Sequence, residues 1–303
     1  MLCRLGEDTI TAMIASIRCA ILSSLLALVA GCATVPETGR SQLLLVSPSQ
    51  ETQLGLTEFE KLKKSTPISK DASVNAMVTR VGQRIASVAP LPNAQWEFVV
   101  FDEPKTANAF CLPRGKVGVY TGILSITKDE AGLATVIGHE VSHAVAHHGA
   151  ERMSEALMTQ LGGQLLGSAL QSNAAQTRDL WLGMYGVSSQ VGWTLPHSRQ
   201  QELEADHLGL IYMARAGYDP RAAVAFWKRF KSYNDQHGNQ HWQFLSTHPV
   251  DEVRIAELEK LVAASNCRVS GTRRQVIVAL LQRNAFQLQQ PPLQRQPTTE
   301  AAE

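Results

Sequence analysis

Val136-Ile137-Gly138-His139-Glu140-Val141-Ser142-His143 decides how this chain is read. Its last five residues spell H-E-x-x-H. Two imidazoles four positions apart lie on one face of a helix, one turn apart, and both can reach one ion. Zinc suits such a pair, because it takes neutral imidazole nitrogen in four-coordinate sites that keep one open position. Zinc lowers the pKa of a water it holds to roughly 7, and Glu140 stands one residue away to take the proton. The chemistry implied is hydrolysis of a polarised carbonyl, above all a peptide bond. The preceding residues, Ala131 to Ile137, are small and apolar, so the helix is expected to be buried. A buried Glu between two buried His needs partners.

A third ligand is sought in Ser198-Arg199-Gln200-Gln201-Glu202-Leu203-Glu204-Ala205-Asp206. Glu202 and Asp206 share a helical face, where like charges repel unless a cation lies between them. Glu202 is assigned to the metal. Asp206 is expected to accept a hydrogen bond from the free ring nitrogen of a ligating His. Glu204 is expected to point elsewhere, into solvent. The bland alternative is an acidic surface helix, with Arg199 pairing Glu202 or Glu204.

With both elements in place, the chain resembles the zinc metallopeptidases that include the CAAX prenyl endopeptidases and the mitochondrial Oma-type proteases. The matching stretches are H-E-x-x-H, Glu202-Leu203-Glu204-Ala205-Asp206, and Asn108-Ala109-Phe110 followed by Gly115 to Gly122. Ala144 to His148, Glu151-Arg152, and Thr247-His248-Pro249 with Arg254 after it extend the likeness, which runs from about Gln50 to Lys260. Within that group the resemblance leans to bacterial periplasmic members of the BepA and LoiP kind. It implies a predominantly helical α+β fold of zincin-like (gluzincin) type, with a small sheet. It implies one zinc held by His139, His143 and Glu202, Glu140 as general base, and Asp206 behind a ligand. It also implies that His248 can occupy the open zinc position and silence the site. In the reading from chemistry, His248 and Arg254 are the candidates for stabilising an oxyanion.

Substrate is expected to lie extended along an edge strand at Lys116–Tyr120, pairing through main-chain hydrogen bonds. Asn108, Ala109, Phe110, Val117, Gly118 and Val119 are the substrate-binding candidates. Helices are expected over 50–64 and 71–88, where Val74, Met77, Val78, Val81 and Ile85 repeat at helical spacing. Strands are expected at 96–101 and 116–120, the latter turned by Pro113-Arg114-Gly115. The zinc helix is expected from Lys128 to His148 with Thr127 as cap, and others at 151–170, 199–216, 219–232 and 250–264. The segment 171–196, rich in Gly, Ser and Gln, is read as a long loop covering the cleft as a lid.

The N-terminus reads as an export signal. Ala20 to Ala30 is apolar apart from Ser23 and Ser24, Arg18 precedes it, and Val29-Ala30-Gly31-Cys32 follows. A short apolar run after a basic residue, ending in small residues, is secretory and too short to span a bilayer comfortably. The Cys after the small residues looks like a bacterial lipobox, with Cys32 lipid-modified, and Met13 gives a leader of conventional length. Ala33, rather than Asp, points to the periplasmic face of the outer membrane. The expected layout is a lipoprotein-type signal at 1–31, a tether at 32–50, the metallopeptidase domain at 51–284, and a disordered Gln/Pro-rich tail at 285–303. Cys111 and Cys267 could pair in an oxidising compartment, but Cys111 reads better as a small buried side chain near the cleft.

Lys+Arg number 28 against Asp+Glu 27, and nothing in that balance suggests a nucleic-acid binder. The expected partners are unfolded or unassembled envelope proteins, the outer membrane through the lipid, and outer-membrane assembly machinery. The competing class is a zinc-stabilised chaperone for outer-membrane proteins with little proteolysis. Glu140 speaks against it, since a scaffold needs ligands but no base.

Overall fold

The computed structural model describes residues 32–171, 175–189, 195–237 and 248–265. The expected signal, the Gln/Pro-rich tail and Cys267 lie outside them. In chain order the elements are β1 (Cys32–Thr34), β2 (Ser41–Leu43), α1 (Pro48–Ser65), α2 (Ala72–Ala86), β3 (Glu97–Phe101), β4 (Ala109–Leu112) and β5 (Lys116–Tyr120). There follow α3 (Thr121–Thr127), α4 (Glu130–Val145), α5 (His148–Ala169), α6 (Ala175–Ser189), α7 (Leu195–Arg215), α8 (Arg221–His237) and α9 (Glu252–Ser265). The fold is α+β and mostly helical, as the sequence led us to expect.

Helix α4 is the axis of the molecule. Every residue from Gly132 to Val145 is buried. It begins at Asp129, not Thr127: the Asp129 side chain accepts from the Gly132 N–H at 2.8 Å, satisfying a donor that the first turn leaves free. Leu133, Val136, Ile137, Val141 and Val145 share one core with Val78, Val81 and Ile85 of α2, Leu208, Ile211 and Tyr212 of α7, and Phe226, Trp227 and Phe230 of α8. Each such side chain contributes about 1.5–3 kcal/mol by leaving water. The core therefore fixes the position of the helix that carries the motif.

The sheet runs β3-β5-β4, with β3 parallel and β4 antiparallel to β5. Lys116–Tyr120 is thus the central strand, not an edge. All five of its residues are buried, and its backbone is paired on both sides. The edge beside α4 is β4. The turn between β4 and β5 has positive φ at both Arg114 (67°) and Gly115 (76°), which sends the chain straight back.

Residues 32–50, read as a tether, hold regular structure at both ends. β1 and β2 form an antiparallel hairpin, with Val35 and Thr38 buried in its turn. Its turn residues were legible; its ion pairs, described below, were not. Ser47 and Pro48 open α1 through a capping box with Gln50. The segment read as a lid contains helix α6, which lies against α5: the Tyr185 hydroxyl donates to the Thr159 carbonyl at 3.3 Å. From Ala156 to Ser198 the only charged residues are Arg178 and Asp179, so the sequence offered little alternation to mark this helix. Among the described residues, no helix is long and apolar enough to cross a membrane.

Candidate active site

Helices α4 and α7 cross at glycines. A Cβ on Gly138 would stand 3.2 Å from the Gly209 carbonyl oxygen, and one on Gly209 would stand 3.1 Å from the His139 nitrogen. Backbone-to-backbone approach brings Glu202 and Asp206 of α7 against His139 and His143 of α4. Trp227 of α8 closes the floor, its ring edge-on to His139 at 5.2 Å.

Four side chains converge there: His139, His143, Glu202 and His248, all buried, with one donor atom from each within 4.8 Å of the others. His139 Nε2 lies 3.1 Å from His143 Nε2 and 3.3 Å from His248 Nδ1. Glu202 lies 3.3 Å from His139 Nε2, 3.4 Å from His143 Nε2 and 3.0 Å from His248 Nδ1. A tetrahedron with zinc bonds of about 2.0–2.1 Å has edges of about 3.3 Å. Those spacings, and three imidazoles with one carboxylate as donors, fit zinc. The structure brings together His139, His143 and Glu202, the three residues read as ligands. His248, which that reading left between two roles, stands at the fourth corner.

Asp206 stands behind His139. Its Oδ1 lies 3.0 Å from His139 Nδ1, which leaves Nε2 facing the cluster. Burial pushes its carboxyl upward, but Arg254 and His139 outweigh that and hold it below the ordinary value. Arg254 is placed differently from expectation. Its Nε and Nη2 donate to Asp206 at 2.8 Å each, and Nη1 donates to the Pro249 carbonyl at 2.9 Å and lies 3.1 Å from Glu202. Its guanidinium also stacks on Trp227 at 4.4 Å. With every arm committed and the side chain 2 % exposed, Arg254 braces Asp206 and Glu202 and does not line the cleft, where an oxyanion donor was expected.

Glu140 is buried, with Oε1 at 3.4 Å from His248 Nε2. Burial holds its carboxyl above the ordinary value, against the pull of His248 and His139, which makes it a better proton acceptor. It opens onto a cleft of about 410 Å³ lined also by His143, His248, Arg152 and the β4 residues Ala109–Leu112 with Asn108. Asn108, Ala109 and Phe110 therefore border the cleft as expected. Val117, Gly118 and Val119 do not. They are interior, and Gly118 is glycine because a Cβ there would stand 2.3 Å from the Phe110 ring. None of the described residues of 171–189 lines the cleft. Cys111 is a free thiol at its wall; burial, and then the charge of Glu140, pushes it up.

Two residues escaped the sequence reading. Glu204, expected in solvent, is buried against His148 Nε2 at 2.9 Å and Arg40 Nε at 2.7 Å. Arg199 pairs with neither glutamate but lies 3.5 Å from Asp251. His148, known only as part of a resembling stretch, touches His143: the two Nδ1 atoms are 2.8 Å apart. The run of Glu202, Glu204 and Asp206 was the available signal. A helix offering three acids in five residues has no room for all of them on one exposed face.

Comparison with known proteins places the chain among metallopeptidases. The mitochondrial metalloendopeptidase OMA1 of Schizosaccharomyces pombe is 39% identical over 183 residues, 60% of this chain and 51% of its own. OMA1 of Saccharomyces cerevisiae is 30% identical over 249 residues, 76% of this chain and 69% of its own. The β-barrel assembly-enhancing protease of Escherichia coli is 26% identical over 232 residues, 74% of this chain and 46% of its own. The expected leaning to bacterial periplasmic members is thus not what the higher identities favour, which are mitochondrial. The chain spans about half the length of most of these relatives. The family model for peptidase family M48 matches residues 72–262, which contain all four converging side chains, and the chain belongs to that family of metallopeptidases.

Proposed function

We propose that this chain is a zinc-dependent endopeptidase of the bacterial cell envelope that cleaves misfolded or unassembled envelope proteins. The observation that carries the catalytic part is the edge strand β4 running beside Glu140, His143 and His248 along one cleft. A strand edge offers main-chain hydrogen bonds, which read backbone rather than sequence. Substrates would therefore be extended, unfolded segments of loose specificity. His139, His143 and Glu202 would hold the zinc. When bound, that ion supplies Lewis acidity to the scissile carbonyl and to water. Glu140 takes the proton of the attacking water and passes it to the leaving amine. Asp206 and Arg254 keep His139 and Glu202 aimed. His248 must swing from the fourth corner before water and substrate can both enter.

The cellular setting rests on the leader-like run ending at Cys32, with its small residues before the Cys. A lipid on Cys32 would tether the enzyme to the periplasmic face of the outer membrane, near unassembled outer-membrane proteins and their assembly machinery. One relative, that of Escherichia coli, is a β-barrel assembly-enhancing protease. The test is zinc content together with casein cleavage, for the mature protein and its Glu140→Gln variant. One zinc per chain in both, with cleavage only in the first, is expected. Cleavage undiminished by Glu140→Gln overturns the mechanism. Zinc-dependent binding of unfolded protein without cleavage in either would favour the chaperone reading.

A further inference from the structure

His139 and His143 are each held from behind, and the two holds have the same design. Behind His139 stand Asp206 and then Arg254, from α9 near the end of the described chain. Behind His143 stand His148, then Glu204, then Arg40 from β2's hairpin near its beginning. Both carboxylates come from α7, two residues apart. We propose that His148, Glu204 and Arg40 form a positioning relay that fixes the ring and tautomer of His143, and through it the metal affinity of the site.

The proton positions follow from the geometry. His143 presents Nε2 to the cluster, so its Nδ1 carries the proton and donates to His148 Nδ1 at 2.8 Å. His148 must then accept at Nδ1 and carry its own proton at Nε2, which donates to Glu204 Oε2 at 2.9 Å. No other pair of tautomers satisfies both contacts while leaving the His143 lone pair for a cation. Glu204 receives in addition the Thr38 hydroxyl and Arg40 Nε. The two terminal nitrogens of Arg40 grip Glu151 at 2.6 and 2.8 Å, and Gln201 donates to the same carboxylate at 2.7 Å. His148, Glu204 and Glu151 are all buried, so water does not compete for these bonds.

The turn that delivers His148 is built for the purpose. His147 sits in the left-handed region (φ 55°) between α4 and α5, an unusual conformation for a side-chain-bearing residue. The reversal folds the first residue of α5 back onto the last turn of α4. His147 is held there by Glu51 of α1, at 2.9 Å from its Nδ1. Contacts of this kind behind a metal-ligating His are worth about 10–100-fold in metal affinity. The hairpin at 32–43 is therefore part of the metal site, reached through four side chains in series.

The inference rests on His143 being a metal ligand. The experiment measures zinc affinity by competition with a chromophoric chelator, the visible spectrum of the cobalt(II) form, and thermal melting of the metal-free protein. It uses the full mature chain with His148→Leu, His148→Asn and Arg40→Lys. His148→Leu is expected to weaken zinc binding 10–100-fold and to alter the cobalt spectrum. His148→Asn keeps an acceptor toward His143 and is expected to recover most of the loss. Arg40→Lys keeps the charge but loses the fork, and is expected to fall between wild type and His148→Leu. Zinc affinity of His148→Leu within twofold of wild type overturns the relay. So does an equal loss in His148→Asn and His148→Leu that tracks the fall in metal-free melting temperature, since that pattern marks packing alone. Failure of the wild-type protein to bind zinc would instead sink the metalloprotease reading itself. If His148→Leu does not fold, Arg40→Lys still decides: zinc affinity and cobalt spectrum unchanged from wild type reject the relay.

Discussion

Gly138 and Gly209 face each other across the α4–α7 crossing, and a methyl on Gly138 would meet the Gly209 carbonyl at 3.2 Å. The contact sits one residue from His139 and three from Asp206, so the helix separation sets the distance between the two ligand-bearing faces. Tetrahedral zinc tolerates little error in that distance.

Gly209→Ala should therefore harm the metal site before it harms the fold. Its methyl would press on the backbone of Gly138 and His139, which cannot rotate away. Overpacking of this kind costs about 1–3 kcal/mol. The expected result is a folded protein with weaker zinc binding and reduced cleavage, seen by chelator competition beside a melting curve. A variant with wild-type zinc affinity and full activity would show that the crossing has slack.

Arg254 holds Asp206 with two nitrogens and contacts Glu202 with a third, inside the protein. Arg254→Met would leave both carboxylates buried beside one another without their cation. Breaking a buried pair from one side costs about 3–5 kcal/mol. The metal-free protein should melt markedly lower, and added zinc should recover part of the loss by binding the folded state. If Arg254→Met instead lowered turnover with melting and zinc affinity unchanged, the oxyanion role expected of it would return.

The H-E-x-x-H helix and its glutamate partner were legible because period and chemistry coincide there: His139, Glu140 and His143 are fixed by i, i+4 geometry, and Glu202 with Asp206 by the same rule. The same rule put Asp206 on the face that meets His139. The strand at Lys116–Tyr120 was also found, residue for residue. Its position in the sheet was not, because order among three strands depends on pairing partners distant in sequence, and an all-buried run reads alike at centre or edge. Glu204 was misread because charge alone suggests solvent. Only the fold brings Arg40, 164 positions away, to neutralise it. The hairpin at 32–43 was missed for a related reason. Its Pro, Gly and Ser mark turns, and turns look like tethers until their ion pairs are seen.

Gly118→Ala tests the substrate edge indirectly. The added methyl would strike the Phe110 ring, which packs on Phe59, Phe101 and Tyr120. Phe110 belongs to β4, so the disturbance passes to the strand proposed to pair with substrate. The expected outcome is a rise in KM for an extended peptide, with zinc content unchanged and stability lower by about 1–3 kcal/mol. N-methylation of that peptide's backbone on the β4 side should raise KM in the wild type as well. An N-methylated peptide cleaved as well as its parent would remove strand pairing from the mechanism.

The metal-free protein should lose stability in acid in two stages. Burial outweighs the contact with Glu204 and holds His148 below its ordinary 6.5, so the unfolded chain binds that proton first. Stability from this group is full above about 6.5 and falls as pH drops below it. Glu204 and Asp206 are pushed up by burial, but His148 and Arg254 respectively lead the opposing contacts and hold them below 4.5 and 3.8. Their stabilisation is present above those values and lost as pH falls through the folded ones. Thermal melts between pH 8 and 3 should show both declines, and Glu204→Gln should flatten the lower one. Parallel curves for wild type and Glu204→Gln would mean that this carboxylate is not the ionised partner drawn here.

His248 divides two readings of the site at rest. Its Nδ1 completes a four-donor set with Glu202 and His139 at 3.0 and 3.3 Å, and its Nε2 faces Glu140 at 3.4 Å. A zinc ion with four protein ligands has no position for water, so such a site is silent until one ligand leaves. Of the four, His248 is the one carried outside the α4–α7 pair, on the short stretch before α9. Removing it should therefore open the site rather than destroy it. His248→Ala is expected to bind zinc more weakly, having lost one donor of four, and to cleave casein faster than wild type at saturating zinc. Glu140→Gln in the same chain should abolish the gain, which would tie it to the same chemistry. If His248→Ala cleaved more slowly while holding zinc as tightly as wild type, His248 would be acting on the substrate and not on the ion.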